Sequence, residues 1–174
     1  MTTKKEIEWQ LYPKNMTCPK HLHDIINSFA NQIDNIDSPH HKTLQSNDVL
    51  AYLRDPFTKL GYEVEKSKKA EDKIEVPVLF GKNGKLEKSF HADAYSFDLK
   101  TVIEVEAGRA VANYQFLKDL FEACVMADVD YCVIAVRRIY RQSEDFNKVI
   151  MFMDTLFSST KLILPLKGVL IIGY

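Results

Sequence analysis

Two glutamates, Glu104 and Glu106, lie two positions apart in the segment TVIEVEAGRA, residues 101–110. This segment predicts a buried strand that breaks directly into a helix. Because strand side chains alternate between two faces, both acids share one face, while Ile103 and Val105 point to the other. Neighbouring carboxylates repel each other and resist burial. The pair therefore needs a cation or contact with solvent, and we treat it as a candidate metal site.

A third carboxylate precedes this pair. Asp93 alternates with His91 and Tyr95 on one face of the preceding predicted strand. If the two strands pair across a turn at residues 98–100, Asp93 lies close to Glu104 on the same face. Clusters of carboxylate oxygens suit Mg²⁺ or Mn²⁺, which favour octahedral oxygen coordination. The sequence thus predicts a site for one of these ions.

The three acids suggest a division of roles. A cation held by Asp93, Glu104 and the backbone carbonyl of Val105 would activate a water molecule and neutralise charge that develops on a phosphate. Glu106 would act as a base or position that water. The alternative interpretation is that Glu104 and Glu106 belong to a solvent-facing strand, and that Asp93 is an ordinary surface residue of its strand.

Apolar periodicity and turn signals predict the framework that carries these acids. An arm with an irregular path, residues 1–18, precedes one mixed α/β domain, residues 19–174. Pro56 is expected to kink or restart the second helix, and Asn83-Gly84 predicts a hairpin turn. The predicted segments are helices at 19–36 and from Ser46 to Gly61, strands at 62–65, 76–80, 85–95 and 101–110, a helix at 110–126, a strand at 131–136, a helix at 146–156 and a strand at 169–172.

Composition is typical of an ordinary globular protein. Of the 174 residues, 46% are hydrophobic and 27% are charged, which excludes wholesale disorder. The net charge of −1 gives no overall indication of nucleic-acid binding but leaves room for a local basic patch. Three cysteines without metal-type spacing favour reduced thiols. With no signal-peptide core and no apolar run near the ~20 residues of a membrane span, we expect a cytoplasmic protein without membrane contact.

These motifs together resemble the PD-(D/E)xK nuclease superfamily, the fold of many type II restriction endonucleases. The likeness covers residues 46–138 and rests on Gly61-Tyr62-Glu63-Val64-Glu65 after a helix, Asp93 on a hairpin, Ile103-Glu104-Val105-Glu106, and the helix that follows. The later runs Asp119-Leu120 and Val129-Asp130-Tyr131 also look like restriction-endonuclease-like proteins. The resemblance implies a restriction-endonuclease-like mixed β-sheet core flanked by helices, in which Asp93 and Glu104 match the metal-binding acids.

The chain departs from this family pattern at Glu106. The family usually has a lysine there, whose charge stabilises the scissile phosphate or the attacking water, although some type II enzymes with this fold carry a glutamate. Arg109 and Lys118 are nearby cations that would supply the missing charge. A smaller departure is Ala92, which stands where the motif has its proline.

Other basic residues have two interpretations. Arg137, Arg138 and Arg141 follow a predicted strand, where they would contact phosphates or form a solvated edge. The loop lysines after residue 65 are more typical of a solvated surface, with contact to DNA as the alternative: Lys66, Lys68 and Lys69.

The leading hypothesis is a Mg²⁺-dependent endonuclease that hydrolyses phosphodiester bonds in double-stranded DNA. We expect a homodimer, because cutting two strands at a symmetric site needs two active centres. One alternative is a catalytically inactive nuclease fold that serves as a binding or assembly module, which Glu106 at the lysine position favours. Another is a metal-dependent hydrolase of nucleotides, although the Gly81–Gly84 loop lacks the spacing of a phosphate-binding P-loop.

Overall fold

Apolar strand-like runs alternate with amphipathic segments along this chain, and they fold into a mixed α/β structure. The computed structural model describes residues 5–174. In chain order its elements are β1 (Glu8–Tyr12), α1 (Lys20–Asn31), α2 (Ile33–Ile36), α3 (Ser46–Lys59), β2 (Glu63–Val64), β3 (Ile74–Phe80), β4 (Leu86–Ala92), β5 (Ala94–Ser96), β6 (Thr101–Glu106), α4 (Gln115–Val125), β7 (Tyr131–Val136), α5 (Asp145–Ser159) and β8 (Gly168–Gly173). This confirms the prediction of a single α/β domain whose mixed sheet is flanked by helices.

The main sheet has six strands in the order β1-β8-β7-β6-β5-β2. Its centre is parallel, because β6 pairs with β7 and β7 pairs with β8 in the same direction. Parallel strands are covered on both faces, which explains why β7 and β8 are almost continuously apolar. Antiparallel pairs complete the sheet: β1 with β8 on one side, and β6 with β5 and β5 with β2 on the other.

Two hydrophobic layers cover the two faces of this sheet. Ile103 and Val105 of β6 pack in the layer formed with α1 and α3, whereas Val102 packs in the layer formed with α4 and α5. The alternation expected for β6 is therefore confirmed. Burying one large aliphatic or aromatic side chain stabilises a fold by about 1.5–3 kcal/mol, so these layers hold β6 rigidly in place. Its acids project on the α4 and α5 side.

A hairpin of β3 and β4 forms a second sheet of its own. The sequence predicted its turn at Gly81–Gly84, where Asn83 has a φ of 60°. The predicted strand 85–95 is interrupted at Asp93, because β4 ends at Ala92 and β5 begins at Ala94 in the main sheet. The chain thus passes from the hairpin into the main sheet at a carboxylate.

Residues 8–12 differ from the irregular arm that the sequence predicted. They form β1, and Leu11 and Tyr12 are buried. The strand forms because it pairs with the free edge of β8 along five residue pairs. This partner strand lies at the opposite end of the sequence. Residues 1–4 of the predicted arm lie outside the described part of the chain.

Two helices also differ from their predictions. Helix α3 continues through Pro56 without a restart, since Leu53 and Phe57 on either side are fully buried in the core. Helix α4 begins at Gln115, so a loop at residues 107–114 separates it from β6 where the sequence predicted a direct break into a helix. Within residues 5–174, no helix has both the length and the apolar character needed to cross a membrane.

Candidate active site

Three acidic residues form a row across three adjacent strands. The registers of β2 with β5 and of β5 with β6 place Glu65, Asp93 and Glu104 side by side, one step beyond the last paired apolar residues. The Glu65 amide donates to the Asp93 carbonyl oxygen at 2.8 Å, which continues the register. Residues in one row of a sheet project on the same face, so the three carboxylates face the α4 side. The pairing predicted across residues 98–100 is confirmed.

Asp93 lies where the sheet loses its neighbouring strand. Pairing between β5 and β6 ends at Ile103, which leaves the next part of β6 without a strand on that side. The Asp93 carboxylate fills this position, because its Oδ2 accepts a hydrogen bond from the Val105 amide at 2.8 Å. The bond fixes Asp93 beside Glu104, and both line a cavity of about 270 Å³ that we call the acid cavity.

The acid cavity carries an excess of negative charge. Among the described residues, six carboxylates and three lysines line it. Helix α4 contributes Asp119 and Glu122, which lie one turn apart and face β6. Glu106, two residues beyond Glu104 on the same face of β6, completes the wall. Sequence reasoning predicted three of these acids, and the helix adds more.

Burial and like charges raise the pKa values of the predicted metal-binding acids. Burial raises the pKa of Asp93 to about 6, and the charges of Glu65 and Asp119 act in the same direction, against the Val105 hydrogen bond and Lys68. Glu104 lines the cavity wall but is surrounded by protein. Burial therefore raises its pKa well above the usual value, and the charges of Asp93 and Asp119 add to this effect. Both acids would lose their protons more readily beside a cation.

Glu106 and Asp119 form a second carboxyl pair. Burial raises the pKa of Glu106 to about 8, and the charge of Asp119 with a shared hydrogen bond adds to it. Burial also raises the pKa of Asp119, whose Oδ1 accepts a hydrogen bond from Gln115 at 2.9 Å. Apart from the hydrogen bond shared with Glu106, its buried Oδ2 has no hydrogen-bond donor within residues 5–174. A buried acceptor of this kind is open to a proton or a cation.

These donors fit a hard divalent cation such as Mg²⁺ or Mn²⁺ in their chemistry. They are oxygen atoms only, they crowd negative charge, and the set includes the Asp119 Oδ2 atom described above. Within residues 5–174, no three His, Cys, Asp or Glu side chains are already gathered as a metal site. Binding would therefore draw the side chains of Asp93 and Glu104 towards each other, with the Val105 backbone between them.

Lys68 is a cation that interacts electrostatically with both predicted metal ligands, Asp93 and Glu104. It donates to Glu65 Oε2 at 2.9 Å, and Lys73 donates to the other oxygen of the same carboxylate. Burial lowers the pKa of Lys68, but the hydrogen bond to Glu65 and the charges of Asp93, Glu65 and Glu104 outweigh burial and raise it overall. Lys68 thus stays charged beside the acids, while its side chain remains exposed on the loop after β2, as the sequence favoured.

The five basic residues predicted to contact nucleic acid occupy different environments. Lys118 lines the acid cavity, where it lies 3.5 Å from Glu122. Arg109 and Arg137 line a neighbouring cavity. Arg138 is buried and pairs with Asp37 at 2.7 Å, so its contacts are structural. Arg141 is exposed and stacks on the Tyr140 ring at 5.2 Å.

Sequence reasoning assigned no site role to Glu65, Lys73, Asp119 or Glu122. One signal was available: Asp119 is an acid between the buried Phe116 and Leu120 of α4, inside the apolar stripe of the helix. Such a residue needs a polar partner and points to a site. No comparable signal marks Lys73, whose role depends on the path of the loop before β3.

The comparisons give no independent guide to this site, since neither the protein-family models nor the curated proteins searched contain a match to the chain.

Proposed function

We propose that this protein is a Mg²⁺-dependent endonuclease of the PD-(D/E)xK type that hydrolyses phosphodiester bonds in double-stranded DNA. The observation that carries the proposal is the acidic row Glu65–Asp93–Glu104, continued by Glu106 in one cavity. The order helix, strands, helix, strand, which the resemblance requires, corresponds to α3, β2, β5, β6, α4 and β7. The geometry of the acids and the order of the elements support the same assignment.

In this proposal the acids at the centre of the row hold the cation. Asp93, Glu104 and the carbonyl of Val105 would bind Mg²⁺ or Mn²⁺, which supplies Lewis-acid activation of water and neutralises charge on the phosphate. Glu65 instead holds Lys68 and Lys73 by ion pairs. The row therefore contains two proposed metal ligands, Asp93 and Glu104, and a third carboxylate, Glu65, that binds two lysines.

Glu106 is suited to accept the proton of the attacking water. In the metal-free protein its pKa is about 8, and a cation bound by Asp93 and Glu104 would lower it, which leaves the carboxylate ionised and able to accept a proton at physiological pH. The water oxygen forms a bond to phosphorus, the water proton moves to Glu106, the bond to the leaving sugar oxygen breaks, and that oxygen takes a proton from solvent. Asp119 beside it keeps the Glu106 carboxyl directed into the acid cavity.

Lys68 supplies the positive charge that the family usually places at position 106. It is held by Glu65 and raised in pKa partly by Asp93 and Glu104, so its ammonium group lies within their electrostatic field. A fixed cation at this point stabilises charge that develops on the phosphate oxygens. In this chain, the roles of base and cation are thus separated between Glu106 and Lys68.

We further propose a homodimer in the cytoplasm. Two active centres would allow both strands of a symmetric site to be cut. The free thiols of Cys18, Cys124 and Cys132 suit a reducing compartment.

The second candidate function is an inactive nuclease fold that binds or assembles with a partner. Glu106 at the position of the family lysine favours it. This alternative predicts that Asp93 and Glu104 can be replaced without loss of function, and that calorimetry detects no binding of Mg²⁺ or Mn²⁺.

Cleavage of supercoiled plasmid by the purified protein tests the proposal. We expect cleavage with Mg²⁺ or Mn²⁺ and none with EDTA. Glu104→Gln should lower the rate by about 10³-fold or more, because ligand loss removes several kcal/mol of transition-state stabilisation. The matched control is Glu63→Gln, an exposed carboxylate on β2 outside the acid cavity. Cleavage that Glu104→Gln leaves unchanged would contradict the assignment.

A further inference from the structure

A second cavity of about 320 Å³ adjoins the acid cavity. The two share Glu106 and Ser46 as a common wall. On its far side the second cavity is lined by Arg109, Arg137 and Tyr140, and we call it the arginine cavity. Its charge is thus opposite to that of its neighbour.

Arg137 is a buried cation without an acidic partner. The residue is 3% exposed, and its guanidinium donates to the carbonyl oxygens of Lys42, at 2.8 Å, and Leu44, and to the Tyr174 hydroxyl. No carboxylate in residues 5–174 forms an ion pair with it, whereas the adjacent Arg138 pairs with Asp37. Burying a charge without a counter-charge is costly. The cavity that Arg137 lines is therefore suited to an anion.

The loop after β6 brings a second arginine to the same cavity. Gly108 has a φ of +129°, and a Cβ atom there would lie 2.5 Å from the Tyr140 ring, so only glycine permits this close packing. The ring is also 5.4 Å from the Arg137 guanidinium. Packing on Tyr140 thus places the exposed Arg109, the next residue, at the rim of the cavity.

The N-terminus of α3 contributes to the same wall. Arg137 holds the carbonyl groups of Lys42 and Leu44, in the segment that leads into this helix of 14 residues. Ser46, the first helical residue, lines both cavities. The start of a helix carries a partial positive charge that favours an anion, and here the Asp48 carboxylate, which accepts a hydrogen bond from the Gln45 amide at 2.7 Å in a capping box, offsets part of it. Two guanidinium groups and a helix start therefore act on one space.

We infer that the arginine cavity is a phosphate subsite, which binds a phosphate group of the nucleic-acid strand whose adjacent phosphodiester lies in the acid cavity. Arg109 and Arg137 present planar N–H groups that match phosphate oxygens. A strand that crosses the shared wall at Glu106 and Ser46 meets the cation site on one side and the arginines on the other. The identity of the strand rests on the proposed function, whereas phosphate binding itself does not.

Titration of the metal-free protein with inorganic phosphate in EDTA, followed by amide NMR, tests the subsite. We expect saturable shifts at Ser46, Gly108 and Arg109. Arg109→Gln should weaken binding by about tenfold or more, since it removes charge-assisted hydrogen bonds. Arg141→Gln is the matched control, because it removes a nearby exposed charge that lies outside the cavity, and it should leave binding unchanged.

A second variant tests the role of the buried Arg137. Arg137→Lys keeps the charge but loses the planar fork, and weaker phosphate binding in a protein with an unchanged amide spectrum elsewhere supports the inference. Shifts that do not saturate, or that are the same in wild type and Arg109→Gln, overturn it.

Short DNA duplexes then distinguish the two sources of the phosphate, again without metal. A duplex with a 5′-phosphate that binds at least about tenfold more tightly than its unphosphorylated form identifies a strand end. Equal binding that still depends on Arg109 identifies an internal phosphodiester, and binding that does not depend on Arg109 contradicts the subsite. Since neither metal nor cleavage is involved, phosphate binding without plasmid cleavage would overturn only the proposed nuclease function.

Discussion

The acid cavity and the arginine cavity share the wall at Glu106 and Ser46, yet they carry opposite charges. In a structure selected only for stability, neighbouring opposite charges would be expected to pair. Here the central carboxylates repel one another, and Arg137 binds backbone carbonyls. Each cavity therefore keeps its charge available for a ligand, and the proposed phosphodiester strand with its cation would satisfy both.

Among the variants that test the difference between the two cavities, replacement of Lys68 should have the largest effect. It removes positive charge from the acid cavity. Lys68→Met is expected to lower kcat by about 10²-fold, the usual order for one electrostatic donor at a developing negative charge. Steady-state cleavage of a labelled duplex would measure this effect. Lys68→Arg should recover part of the rate.

Lys69→Met provides the control for Lys68. Lys69 is exposed and lies one position along the same loop, outside the acid cavity. Its replacement should leave kcat unchanged. Equal losses in the two lysine variants would show that general loop charge, and not the ion pair with Glu65, explains the effect.

Arg109→Gln should have an intermediate effect, limited to binding at the arginine cavity. We expect DNA binding in EDTA to weaken by about tenfold, and the slope of log affinity against log salt concentration to fall by about one. Fluorescence anisotropy at several salt concentrations measures both quantities. A slope that Arg109→Gln and Arg141→Gln change equally would assign the effect to overall charge instead of to the cavity.

The smallest expected effect is on thermal stability. In the metal-free protein, the pKa values of Asp93 and Glu106 are raised to about 6 and about 8, so the folded state holds these protons more tightly than the unfolded state. Their contribution to the free energy of unfolding is therefore full at low pH and is lost as pH rises towards about 8. Calorimetry should show Tm falling by about 5 °C between about pH 5 and about pH 8.

Two comparisons isolate the source of this pH effect. Glu106→Gln should flatten the fall, since the uncharged amide cannot lose a proton in this range. Addition of Mg²⁺ at the higher pH should restore part of the lost stability, because the cation binds only the folded protein. If Tm rises with pH in the wild-type protein when it is compared with Glu106→Gln, the pKa values of these carboxyl groups are not raised in the folded state.

The central part of the site could be predicted because its residues are close in sequence. The turn at 98–100 and the alternation of β5 and β6 are local features, and together they place Asp93 beside Glu104. The pattern of β6 likewise predicts which face carries Glu104 and Glu106. Short-range periodicity is enough for these relations, since one turn determines the whole register.

Other relations depend on contacts between distant parts of the chain. The pairing of β1 with β8 and the ion pair of Arg138 with Asp37 join residues far apart in sequence, so no local pattern reveals them. The sequence also gives no reason to separate Lys68 from Lys66 and Lys69, because its contact with Glu65 depends on the turn between them. For the same reason, the difference between Arg137 and Arg138 appears only in three dimensions.

The independent pairing of the β3–β4 hairpin has an evolutionary consequence. Its strands bond to each other, while the register of β2, β5 and β6 that aligns the acids is set in the main sheet. Insertions, deletions or substitutions at the hairpin tip, where Leu79, Phe80 and Leu86 are exposed, can therefore accumulate without shifting a carboxylate. The base of the hairpin lacks this freedom, since Val76 and Ala92 are buried and His91 and Ala92 line the acid cavity.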